Sequence, residues 1–152
     1  MKNYPQTFAL QVAKNIKVIG DYSCLAMCYL YCIGIDGDAA DYVITISNAM
    51  EYSATLPKDK QFLDSECTVL DAPAFLEFES GKHFKVIKKE INDISEIKEP
   101  TPVRYSYNGL SHWVVVENGK IVFNSLANSN CVNKGKLDHN PKNPNARVIK
   151  LV

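Results

Sequence analysis

The sequence predicts an α+β domain, with N-terminal helices packed on a C-terminal antiparallel sheet. Three observations predict it. Apolar residues in the front half recur at helical spacing, from His83 onward they alternate or cluster as in strands, and Asn118-Gly119 separates two strand candidates. That dipeptide between apolar runs is a strong short-range hairpin signal.

Each element follows in order. Pro5 and Thr7 open a helix with Phe8, Val12 and Ile16 backed by Ala9, Ala13 and Ile19; Lys14 and Lys17 lie on its wet side, and Gly20 ends it. Cys24 then begins an apolar run that stops at Gly34, with Asp21 and Ser23 as able N-caps and Gly34 as a left-handed C-terminal residue. Tyr42, Ile46, Ala49 and Met50 predict a third helix over 39–52, although Val43 to Ile46 also suit a strand. Residues 53–69 read as loop with one short helix. Asp71 and Pro73 start a further helix that Gly81 stops. Strands are expected at 83–88, 102–107, 111–117, 120–125 and 147–152, with a helical turn over 92–98 and a loop over 128–145.

At 152 residues the chain reads as one domain, 1–152, long enough to bury a core. Seventeen Lys and Arg balance seventeen Asp and Glu, so no nucleic-acid or membrane partner is expected from charge. Met1 to Gln6 lack the apolar stretch of a signal peptide. The longest apolar run, Cys24 to Ile35, is about half of the ~20 residues a membrane helix needs. A cytoplasmic location is the expectation. No Gly-rich phosphate loop or paired-carboxylate motif implies a cofactor.

Cys24, Cys28 and Cys32 recur every four residues, a spacing that fits no common zinc pattern, so no metal is expected. Cys28 and Cys32 read as apolar filler facing the sheet, and Cys131, in a polar loop, as an exposed bystander. Cys24 differs because it opens its helix. Unpaired N–H groups and the positive end of the helix dipole favour the thiolate there.

A thiol nucleophile needs a base, and the chain offers His83, His112 and His139. His112 opens the strand Trp113-Val114-Val115-Val116, where it can meet a helix N-terminus packed across the sheet. His139 reads as solvated and His83 as peripheral. Trp113 points to the face opposite His112 and reads as core.

The group that orients the imidazole depends on the hairpin. A plain two-residue turn sets Glu117 against Lys120 and His112 against Ser125. A bulge at Gly119 sets Val116 against Lys120 and His112 against Asn124. The bulged register, which yields a working Cys24, His112, Asn124 triad, is the expectation.

A Cys opening an apolar helix, a His-Trp-Val-Val-Val strand about ninety residues later, a Gly turn and a strand ending in Asn-Ser resemble the papain-like cysteine peptidases. The bacteriocin-processing branch is the most similar. The resemblance implies a papain-like fold, Cys24 as nucleophile, His112 as base, Asn124 as orienting residue, and a peptide, protein or peptidoglycan substrate. The whole chain is also similar to a family of small spirochaete plasmid and prophage proteins, a likeness that brings no activity with it. Two features depart from the peptidase pattern. Leu25-Ala26 replaces Gly-Pro after the cysteine, and no Gln or Asn lies in Val18 to Ser23; the nearest amides are Asn15 and Gln11. Losing one oxyanion donor typically costs ~10²–10³ in rate. The alternative is therefore an inactive papain-like domain that binds a partner protein.

Overall fold

The computed structural model describes residues 7–152, with side chains from residue 13 onward. Pro5 and the inward roles expected of Phe8, Ala9 and Val12 lie outside the described residues. Four helices precede the sheet: α1 (Thr7–Tyr22), α2 (Cys24–Cys32), α3 (Ala39–Ala54) and α4 (Ala72–Ser80). The antiparallel sheet comprises β1 (Phe84–Lys89), β2 (Thr101–Tyr107), β3 (Leu110–Glu117), β4 (Lys120–Phe123), β5 (Lys136–Leu137) and β6 (Ala146–Leu151). The strand order is β1-β6-β2-β3-β4, and β5 pairs with β2. A four-residue helix, α5 (Asn130–Asn133), and β5 lie in the segment expected to be loop.

Gly20 does not end the first helix. α1 runs through it to Tyr22, and Ser23 alone separates α1 from α2. A single glycine costs a helix only about 1 kcal/mol, which packing can outweigh. Ile19 is buried as its place in the apolar pattern requires, but Ile16 is half exposed and Asn15 is buried instead. Asn15 donates to Ser47 Oγ at 2.9 Å and to Glu51 Oε1 at 3.0 Å, so a polar contact ties α1 to α3.

The other stop signals act as read. Gly34, at φ +78°, completes a Schellman cap in which the Ile35 N–H donates to Leu30 O and the Gly34 N–H to Tyr31 O. Asp38 and Asp41 form a reciprocal capping box at the start of α3. Asp71 accepts from the Ala74 N–H, and Gly81 closes α4 in the left-handed region.

α2 is apolar all round because it is covered on both sides. Tyr29 and Leu30 join Ile46, Phe75 and Leu76 of the neighbouring helices, while Cys28 packs on Trp113 and Val115 of β3. Two guanidinium groups also lie over the Trp113 ring, Arg104 5.2 Å and Arg147 4.8 Å from its centroid.

The far face of the sheet is covered as well. Val103, Val114, Val116 and Ala146 pack there with Ile91, Ile97, Val132 and Leu137. This second layer explains why β3 reads as a continuous apolar run rather than an alternating one. Gly135 follows α5 where the backbone passes so close to β2 that a Cβ would overlap the carbonyl oxygens of Ser106 and Cys131.

Candidate active site

Cys24 occupies the first position of α2, and the backbone places its sulfur at a bare strand edge. Arg104, opposite Trp113, turns away from β3: its N–H donates to Asn145 O at 2.8 Å, and its carbonyl accepts from the Asp138 N–H at 3.0 Å. The two residues are thus a non-hydrogen-bonded pair, and Trp113 directs its own N–H toward the β4 side. β4 has already ended at Phe123, and the backbone N–H groups of Trp113, Leu25 and Cys24 itself act on the thiol by favouring its charged form.

Burial pushes the Cys24 thiol above its ordinary value, and these N–H groups pull it only part of the way back. The expectation of a thiolate-favouring helix start is therefore half met. The donors are present, but desolvation outweighs them. Ser23, expected as a cap, makes no side-chain capping bond.

His112 Nε2 lies 2.7 Å from Asn124 Oδ1. The same oxygen accepts the Leu126 N–H at 3.0 Å, which identifies it as the carbonyl oxygen of the amide rather than its nitrogen. Nε2 must then carry the proton, and Nδ1 is left with a free lone pair. Burial lowers the imidazole below its ordinary value, and the Asn124 bond offsets this only in part. The resting ring is neutral at pH 7 and able to accept a proton.

The hairpin reaches this contact by neither expected register. Asn118 (φ +51°) and Gly119 (φ +74°) form a plain two-residue turn with Glu117 opposite Lys120, so the register that sets Val116 against Lys120 is not formed. The pairing then slips: Val116 faces Ile121, but Val115 faces Phe123, leaving Val122 as the extra residue of a bulge. That one residue returns Asn124 to the face of His112. Ser125 takes no part in the bond.

His112 belongs by alternation to the face of Val114 and Val116, whereas α2 covers the face of Trp113 and Val115. The histidine thus does not meet the helix across the sheet, as the sequence suggested. Instead a cavity of about 570 Å³ includes both Cys24 and His112 in its lining. It also touches Met27 of α2, Cys131 of α5, Ser125 and Leu126, and so draws on elements from both faces. Among the described residues no hydrogen bond joins the Cys24 thiol to the His112 ring.

Other residues fall differently from expectation. Cys131 is buried, not exposed, and its thiol donates to Leu110 O at 3.4 Å. Polar surroundings in sequence concealed this, because the contact is made with a strand residue twenty-one places earlier. Asn15 is engaged with Ser47 and Glu51 and points no amide at Cys24. The side chain of Gln11 lies outside the described residues. His139 pairs with Glu90 at 2.9 Å and His83 with Glu77 at 3.4 Å, both on the surface. Cys28 is fully buried against Trp113, as its filler reading requires. Among the described residues no cluster of three or more His, Cys, Asp or Glu is placed to hold a metal ion, and no helix is long and apolar enough to cross a membrane.

The chain matches no protein-family model, no curated protein and no solved structure.

Proposed function

We propose that this is a papain-like thiol hydrolase, a cysteine peptidase or amidase that acts through Cys24, His112 and Asn124. The observation that carries the reading is the His112–Asn124 bond, which leaves Nδ1 as a neutral base on the cavity that Cys24 shares. In the reaction, Cys24 Sγ attacks the substrate carbonyl carbon as its proton passes to Nδ1. The backbone N–H groups of Leu25 and Trp113, which favour negative charge at the Cys24 sulfur, are the donors proposed for the developing oxyanion. The imidazolium then protonates the leaving amine. Water, deprotonated by the ring, attacks the thioester carbonyl; the C–S bond breaks, the acid is released, and the ring returns the proton to the Cys24 sulfur. The substrate is a peptide, a protein or a peptidoglycan cross-link.

The test is labelling with a peptidyl vinyl sulfone, located by peptide mass spectrometry. Labelling is expected at Cys24, absent in Cys24→Ser, and slower by about 10²-fold or more in His112→Ala. Equal labelling of Cys24 and Cys131, indifferent to His112, would overturn the proposal.

The inactive, partner-binding reading has its own support. The thiol is raised by burial, and Asn15 is committed to Ser47 and Glu51 rather than turned toward Cys24. It expects no hydrolysis of any amide and no effect of His112→Ala on Cys24 labelling.

A further inference from the structure

A second and larger cavity adjoins the first. Its volume is about 790 Å³, and Met27 and Ser125 line both. Asn124 also borders it, so a chain bound at Cys24 can extend into it past the end of β4.

The walls have a definite chemistry. Phe123 stacks on Tyr31 with centroids 5.0 Å apart, and Tyr42 lies 6.0 Å from the same ring. Asp36 comes from the loop after α2 and Glu117 from the end of β3. Neither is engaged in an ion pair among the described residues, and no Lys, Arg or His lines the cavity. Asp38, the remaining acid, is tied to the Asp41 N–H. The two free carboxylates act on the interior: after burial, the charge of Glu117 raises the Cys32 thiol, and after burial and Tyr31 that of Asp36 raises the Tyr42 hydroxyl.

Aromatic faces attract cations through the ring quadrupole, and the carboxylates beside them, Asp36 exposed and Glu117 half-buried, add a Coulomb attraction that salt screens. A neutral apolar side chain would gain the rings but nothing from the two acids.

We propose that this cavity is a specificity pocket for a basic residue of the substrate, arginine above lysine, held against Tyr31, Tyr42 and Phe123 and paired with Asp36 and Glu117. Arginine is favoured because a planar guanidinium both stacks on the rings and forks onto a carboxylate. The inference deepens the hydrolase reading by naming what part of a peptide the site selects.

Binding to the Cys24→Ala protein separates the two, since it needs no turnover. Four capped hexapeptides that differ at one central position (arginine, lysine, citrulline, norleucine) are titrated by calorimetry. The arginine peptide is expected to bind at least 10-fold tighter than the citrulline peptide. This preference should fall below about 3-fold in 0.5 M salt and in the Asp36→Asn, Glu117→Gln double variant. Phe123→Leu should weaken the arginine peptide by about 5-fold or more. Equal affinity for arginine and citrulline peptides, or no binding of any, would overturn the pocket while leaving vinyl sulfone labelling of Cys24 free to succeed. Arginine-selective binding without labelling would sustain the pocket and overturn the hydrolase.

Discussion

His112 Nε2 and Asn124 Oδ1 stand 2.7 Å apart, and the oxygen's second lone pair is taken by the Leu126 N–H. The pair fixes one tautomer of a buried ring and does so with a neutral partner. A carboxylate in the same place would hold the ring as firmly but would favour its charged form.

The roles of the two residues separate in a pH profile. Protonated His112 cannot act as base, and burial holds its ionisation below the usual value of 6.5, so kcat/KM should fall only as the pH drops below that value. Asn124→Asp should move this acid limb to higher pH by opposing the effect of burial. Asn124→Ala should lower kcat by about 10–10²-fold while the fold loses only the ~1 kcal/mol of one hydrogen bond. Measurement of amide hydrolysis from pH 4 to 9 on the three proteins distinguishes these effects.

Glu79, on α4, is a pH-dependent weakness of the fold. Its Oε1 is buried without a partner among the described residues, and burial raises its carboxyl to about 7 from an ordinary 4.5. A carboxyl raised in the folded state binds more protons folded than unfolded. Its favourable contribution is therefore full below the unfolded value and lost as the pH rises toward 7. Glu79→Gln should raise stability at pH 8 by about 1–2 kcal/mol, after discounting the partial exposure of the group, with the gain shrinking between pH 7 and 4.5. Urea denaturation at a series of pH values reads this directly.

Gly135 stands where β2 and α5 leave no room for a side chain. Both obstructing atoms are backbone oxygens, which cannot rotate aside. Gly135→Ala should cost about 3 kcal/mol or more by forcing α5 from the sheet. Because Cys131 and Val132 travel with α5, the variant should also render Cys131 reactive to a thiol reagent under native conditions, which a rate measurement with Ellman's reagent would record.

Much of this architecture is legible in the sequence where the signal is local. Gly34, Asp71, Gly81 and Asn118-Gly119 act through their own backbone conformation or their own side-chain cap, and each stands where its residue type places it. Tyr42, Ile46, Ala49 and Met50 form the inward stripe of α3 that their spacing marks. What fails is what depends on distant partners. Gly20 is carried inside a helix by packing, and Asn15 is buried because Ser47 and Glu51 lie across from it. Cys131 is covered by a strand twenty-one residues earlier. The burial that raises the Cys24 thiol is likewise tertiary, so the helix-start argument supplies the donors and misses the term that outweighs them.

Asn124 shares a face with His112 only because Val122 is an unpaired residue in a strand of four. Faces alternate with every residue, so the hairpin counts modulo two. Removing Val122, or adding one residue between Gly119 and Asn124, would invert the parity and carry the amide to the helical side of the sheet, with Cys24, His112 and Asn124 themselves unaltered. A change of two residues would restore it. Length variation in this hairpin is thus confined to even steps if the pair is to survive, and a substitution-only view of the site would never detect that restriction.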